Sequence, residues 1–390
     1  MFAPVRKLRI VVLGYIIRGP LGGLVWHHLQ YVTGLRALGH DVLFVEDSDD
    51  DPSCYDPSRH VVDSDPSFGL RFAADAFRRV GAGDLWAYHD AHTGRWLGPA
   101  AGRARGFCES ADLVLNLSGV NPLREWLAGA PARALVDTDP AFTQIRHLSD
   151  PALREHARGH TAFFTFGENF GRPGCSIPDD GLPWMPTRQP ITLDAWEVTT
   201  GPESGPFTTV MQWDSYAARE HGGRRFGMKS ASFAAFLGLP SARPETFEIA
   251  LGTADAPRDL LRAHGWRIRD PLVLTKDAAS YQRYIRSSKG EWSVAKHGYV
   301  ASRSGWFSER SASYLASGRP VAVENTGFTD WLAAGLGVVP FSTLQEAADA
   351  IARISGDYKR HCRAAREIAA DYFDAAKVLP LLVERAEAGG

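Results

Sequence analysis

The sequence predicts an α/β protein built from two doubly wound, Rossmann-like domains that face each other across a cleft. Three observations carry this. Apolar runs of strand length alternate with helix-length segments in both halves, and runs without internal polar alternation are those of strands buried on both faces of a parallel sheet. Between about residues 171 and 205 the pattern breaks: RPGCSIPDDGLPWMPTRQP holds five prolines and no period, which reads as a boundary. A chain of 390 residues is also longer than one ordinary core supports.

In chain order, Leu8 to Tyr15 is the first strand, and Val25, Leu29, Val32 and Leu35 recur at helical spacing until Gly39. DVLFV (41–45), DLVLNLSG (112–119), RALVDTDP (133–140) and AFFTFGEN (162–169) follow as strands closed by polar or turn residues. In the second half PFTTVMQW, TFEIALG, PLVLT, WSVAKHG and RPVAVEN are strand candidates, with helices at 230–237, 259–265, 278–287 and 308–317. The tail is helical, with breaks expected near Ser355 and Pro380. The expected division is 1–190, 205–365, and a 366–390 tail packing back toward the first domain. Ligands of open parallel sheets bind outside the carboxyl ends of the strands, so the cleft between the domains is the expected site.

Composition narrows the partner. With 43 basic against 45 acidic side chains, no global charge argues for nucleic acid or an anionic membrane, and no nucleic acid is expected. No apolar run reaches the roughly 18 residues of a membrane span, and the first residues lack the order of a signal peptide. Cys54, Cys108, Cys175 and Cys362 are scattered, against a zinc site or disulfide framework, and a cytoplasmic location fits.

GYIIRGPLGGLVWHH, residues 14–28, places glycines, Arg18, Trp26, His27 and His28 between the first strand and the first helix. Glycines let a backbone turn or approach a ligand closely, and free N–H groups at a helix start attract anions. A histidine of near-neutral pKa there suits proton abstraction from a hydroxyl, and His27 is favoured over His28; two structural histidines are the competing reading. The acids of EDSDDDPSCYDPSR (46–59) bind a cation or solvate a loop, and the second reading is preferred. In VDTDP, Asp137 and Asp139 line the cleft, Asp139 being an alternative base. Asn116, Ser118, Asn121 and Glu168 end neighbouring strands and are expected at the acceptor pocket.

The densest stretch of the second half is KHGYVASRSGWFSERSASYLASGRPVAVENTGFTDW (296–331). Its LASGRPV turn resembles that of the donor half of GT-B glycosyltransferases of the family 1 and 4 type. The resemblance implies a nucleoside-diphosphate sugar as co-substrate, UDP or dTDP favoured, with no permanently bound cofactor and no metal. It implies a small-molecule or glycan acceptor, and a monomer or homodimer. Arg225 and Lys229 of GGRRFGMKS fall where many members carry an Arg and a Lys for the diphosphate. The paired glutamates of retaining members do not carry over, since Gly305 and Ser313 stand in their places. Glu309, the acid of that helix, is expected to accept hydrogen bonds from ribose or sugar hydroxyls, or to form an ion pair with Arg310 or Arg319. Further donor candidates are Arg18, Gly22, Gly23, Lys296, His297, Arg310, the backbone of Ser304 and Gly305, and Ser308 as an N-cap. Trp26 and His28 are placed with the acceptor.

Three rivals remain: a sugar-nucleotide epimerase of the same fold, a non-catalytic sugar-nucleotide-binding protein, and a nicotinamide dehydrogenase. The last draws on Glu46 at the end of the second strand but lacks the G-x-G-x-x-G spacing.

Overall fold

A computed structural model describes residues 6–49 and 53–390. The first five residues lie outside it, as do Asp50, Asp51 and Pro52 of the acid-rich stretch. The first half is an eight-stranded sheet in the order Trp184–Pro186, Ala162–Thr165, Ala132–Asp137, Leu113–Leu117, Arg9–Leu13, Asp41–Asp47, Trp86–Asp90, Arg95–Leu97. All neighbours run parallel except the last pair, a hairpin. The strand Arg9–Leu13 is central, pairing Ile10 with both Val42 and Leu113. The chain therefore winds outward first to one side and then to the other, which leaves a switch point beyond Leu13 and Leu117.

The second half is a six-stranded parallel sheet in the order Arg267–Arg269, Phe247–Leu251, Phe207–Met211, Gly290–Ser293, Val321–Glu324, Val338–Phe341. The same outward winding puts its switch point between Phe207–Met211 and Gly290–Ser293. One apolar core joins the halves: Val25, Trp26 and Leu29 of the first helix, Gly22–Ala37, share it with Tyr281, Ile285, Phe307 and Phe373. The helix Ala375–Ala388 packs on that first helix, and the two chain crossings meet at a bridge between Ile191 and Asp374.

Several expected elements differ. PLVLT is not a strand: Asp270 caps a short helix, Pro271–Leu274, and the neighbouring strand is Arg267–Arg269. The proline-rich boundary still contributes Trp184–Pro186 to the first sheet, as an edge strand where a proline costs no ladder bond. The tail breaks near Ser355 as expected, between Leu344–Gly356 and Tyr358–Ile368, but its later break is at Asp374, which caps Ala375–Ala388, and Pro380 lies inside that helix.

Candidate active site

The glycine-rich loop is shaped from within the first half. Glu46 is fully buried; its Oε2 accepts from the N–H groups of Ile16 (2.6 Å) and Ile17 (2.7 Å), and its Oε1 from that of Arg18 (2.7 Å). Burial pushes this carboxyl above its ordinary value. Both oxygens are occupied, so Glu46 has none left for a ribose, which removes the dehydrogenase argument. Arg18 turns inward too, its Nε 3.5 Å from Glu46 and its Nη2 donating to the Val120 carbonyl, so it is a brace of the loop rather than a phosphate ligand. Gly22 donates its N–H to the Thr275 carbonyl (3.1 Å). A Cβ there would lie 2.4 Å from the Thr275 oxygen, so glycine is required by the approach of the two halves, not by a ligand. Gly23 does face the cleft, beside Tyr281.

His28 and Trp26 are not acceptor residues. His28 is fully buried, with Nδ1 donating to the Leu24 carbonyl and Nε2 accepting from the Tyr15 N–H. Trp26 donates its indole N–H to the Ala278 carbonyl (2.8 Å) and packs on Trp196, tying the halves together. His27 is 5% exposed, and burial lowers its pKa to about 4. Its Nε2 is buried without a partner among the described residues, and its Nδ1 lies 3.4 Å from Glu309 Oε2. A ring so enclosed has no face for an acceptor, so the expectation that His27 itself takes the proton gives way to a residue standing behind Glu309.

Between the halves, at the carboxyl ends of the second sheet, lies a cavity of about 880 Å³. Leu21, Gly23 and Leu24 line it from the first half; Met211, Gln212, Gly252, Thr253, Asp270, Glu309 and Arg310 line it from the second. Ser308 caps the helix Glu309–Ala316 by accepting from the Arg310 N–H. Arg310 is held by a fully buried Glu291, by the Val210 carbonyl (2.8 Å) and by Ser293 Oγ (2.7 Å), bonds that use one N–H of each nitrogen and leave a second N–H on Nη1 and on Nη2. Lys229 starts a short helix nearby. Burial, then the charges of Arg310 and Lys296, lower its pKa well below the ordinary lysine value. An ammonium destabilised in this way gains from an incoming anion.

A second cluster bridges the halves. Asp139 accepts from Lys296 Nζ (2.8 Å) and from the hydroxyls of Tyr216 and Tyr299. Although burial opposes it, these partners hold its carboxyl below the ordinary range. A carboxylate so engaged is a poor base, and Lys296 is spent on it rather than free for a phosphate. His297 accepts from the Gly227 N–H, and Arg225 lies exposed on the hairpin strand Arg224–Phe226, beside His297.

Other candidates prove structural. The N–H of Ser304 is bonded to the Tyr299 carbonyl and that of Gly305 to the Thr326 carbonyl, so neither meets a phosphate. Gly305 has φ +73°, with Asn169 where a Cβ would sit. Asp137 is buried and accepts from the Asp139 N–H, Gln144 and Thr165. Asn121 ties the Asp47 N–H to the Gly14 carbonyl, and Asn116 bonds to Asn121 and His160. Ser118 bonds to Thr138, and Glu168 pairs with Arg188. Sequence reasoning missed Gln212, Thr253 and Asp270, although the ends of PFTTVMQW and TFEIALG pointed at that wall. It also missed Tyr15, whose hydroxyl is pushed up to about 12 by burial and by the charges of Glu309 and Asp139.

No protein-family model matches the chain, and no curated protein matches it. Solved structures do. An alpha-glucosyltransferase in complex with UDP-glucose and DNA containing an abasic site superposes with a TM-score of 0.62 at 10% identity, over 98% of this chain and 100% of that one. Anabaena HepE in complex with UDP and glucose gives 0.53 at 11% identity, over 97% and 99%. A glycosyltransferase from Rickettsia africae gives 0.51 at 12%, over 98% and 99%. The DNA complexes overturn the expectation that nucleic acid could be set aside, because balanced total charge does not exclude a locally recognised duplex. Both sheets, their order and the cleft between them are those of the GT-B glycosyltransferase fold.

Proposed function

We propose that the protein is a glycosyltransferase that moves a sugar from a nucleoside diphosphate, UDP or dTDP favoured, to an acceptor hydroxyl. The observation that carries this is the cavity at the carboxyl ends of the second sheet, with Arg310 and Glu309 in its lining and Lys229 beside them. Its volume suits a ligand of this size. As the glycosidic bond breaks, negative charge grows on the leaving diphosphate. A rigid guanidinium and a desolvated ammonium stabilise that charge more in the transition state than in the ground state. In this reading Lys229 and Arg310 supply the charge a divalent cation supplies elsewhere, and transfer proceeds without metal. Similar structures that hold UDP or UDP-glucose support the choice of donor.

The acceptor hydroxyl in this reading belongs to a small molecule, natural product or glycan, or to nucleic acid, the acceptor class that the DNA-bound similar structures bring in. Four free cysteines are compatible with action in the cytoplasm. The test is transfer from UDP- and dTDP-sugars, with and without chelator, to a panel that includes hydroxymethylated duplex DNA, followed by mass spectrometry. A glycosylated product supports the reading. Interconversion of the donor sugar alone indicates an epimerase, and binding without turnover indicates a non-catalytic protein.

A further inference from the structure

Glu309 is a carboxylate of the cavity lining, and it stands where the halves meet. It belongs to the second half, yet its Oε2 lies 3.4 Å from Nδ1 of His27 on the first helix. The two sides of this contact differ. Glu309 keeps 36% of its side-chain surface exposed, on the cavity wall, whereas His27 keeps 4%. One carboxylate oxygen therefore faces an imidazole nitrogen while the group as a whole stays open to a ligand. Among the described residues the other imidazole nitrogen is buried without a partner.

Resting on the donor reading above, we propose that Glu309 is the general base that takes the proton of the acceptor hydroxyl, and that His27 positions its carboxylate. In that step the acceptor O–H bond breaks and its proton passes to Glu309. The acceptor oxygen forms a bond to the anomeric carbon. The bond from that carbon to the phosphate oxygen breaks, and its electron pair leaves with the nucleoside diphosphate, held by Lys229 and Arg310. The proton then returns to solvent through the cavity.

The surroundings agree with this role. Arg310 from its own helix and Lys229 favour the charged carboxylate, while burial opposes it and wins, pushing Glu309 to about 7. The remaining titratable neighbours are Tyr15 from the glycine-rich loop, Tyr31 and His27 from the first helix, and Tyr281 from the helix Ala278–Arg286. The tyrosines are all pushed upward and His27 downward, so each is neutral at neutral pH. A carboxylate tuned toward 7 is a stronger base than an ordinary one and is still available at physiological pH.

The experiment measures UDP affinity by calorimetry, and single-turnover hydrolysis or transfer from UDP- and dTDP-sugars between pH 5 and 9, for the wild type, E309Q, H27A and H27N. For E309Q the expected result is a loss of about 10²- to 10⁴-fold in turnover, UDP affinity within about twofold, and disappearance of the rising limb near pH 7. H27A should lower turnover about tenfold and move that limb, without changing UDP affinity; H27N, which restores an N–H near the Nδ1 position, should recover most of it. E309Q turnover within about threefold of wild type, or a loss matched by an equal loss of UDP affinity, overturns the assignment while leaving the donor reading intact. A wild-type chain that binds no nucleoside diphosphate overturns both.

Discussion

Lys296 Nζ and Asp139 lie 2.8 Å apart, and they come from opposite halves of the molecule. Asp139 follows a strand of the first sheet and Lys296 a strand of the second, so this pair, with the hydroxyls of Tyr216 and Tyr299, fastens the cleft on one side. Trp26 and Ala278 fasten it on another.

That pair sets a first prediction. The partners of Asp139 hold its carboxyl below the ordinary range, so the stability it contributes is full above the ordinary carboxylate pKa and is lost as pH falls through its lowered value. D139N should cost about 3 kcal/mol at pH 7, since it leaves Lys296 without its counter-charge. Urea unfolding of wild type and variant should converge in acid. Equal stability at pH 7 would show the pair to be energetically idle.

Glu324 titrates in the opposite sense. Burial pushes it to about 7 from an ordinary 4.5, despite a bond from the Ala295 N–H. A raised carboxyl contributes stability that is present below the unfolded pKa and lost as pH rises through the folded one. Wild-type stability should therefore fall between pH 4.5 and 7 relative to E324Q, by roughly 3 kcal/mol. Parallel pH profiles for the two proteins would contradict this.

At Gly22 a side chain meets backbone, not solvent. G22V places carbon against the carbonyl oxygens of Thr275 and Asp277, 2.4 and 2.6 Å from the Cβ. Neither can rotate away, so the halves must separate locally, at about 2 kcal/mol. Melting temperature and donor affinity should fall together; a fall in affinity alone would point to a direct ligand contact.

Lys229 has no such structural duty. K229A should weaken UDP binding by about 1.5 to 3 kcal/mol, the worth of a charged hydrogen bond, and leave the melting temperature unchanged or raised. Unaltered affinity by calorimetry removes Lys229 from the donor site.

What the sequence discloses, and what it hides, follows from how each feature is encoded. Runs such as LRIVVL and DLVLNL must be strands, because a doubly buried strand has a local apolar signature, and their alternation with helices implies the two sheets. Site residues have no such signature. Asn116, Asn121 and Asp137 stand at strand ends, as ligand-binding residues do, but their side chains turn back to satisfy loop backbone. Ser304 and Gly305 look like phosphate donors until their N–H groups are seen to be bonded across the fold. The pairing of His27 with Glu309 joins residues far apart in the chain, and only the approach of the halves creates it. PLVLT failed for a local reason: Asp270 and Pro271 form a helix start that outweighs four residues of strand propensity.

In the proposed reading the cavity lined by Glu309 and Arg310 holds a nucleoside diphosphate. Calorimetric titration of UDP and of NAD into the wild-type chain, repeated with K229A, tests it most directly. The account predicts one UDP site per chain, weakened in K229A, and stabilisation of the fold by about 2.7 kcal/mol at a hundred times the dissociation constant. Binding of NAD but not UDP, or UDP binding of equal strength in both proteins, would contradict it.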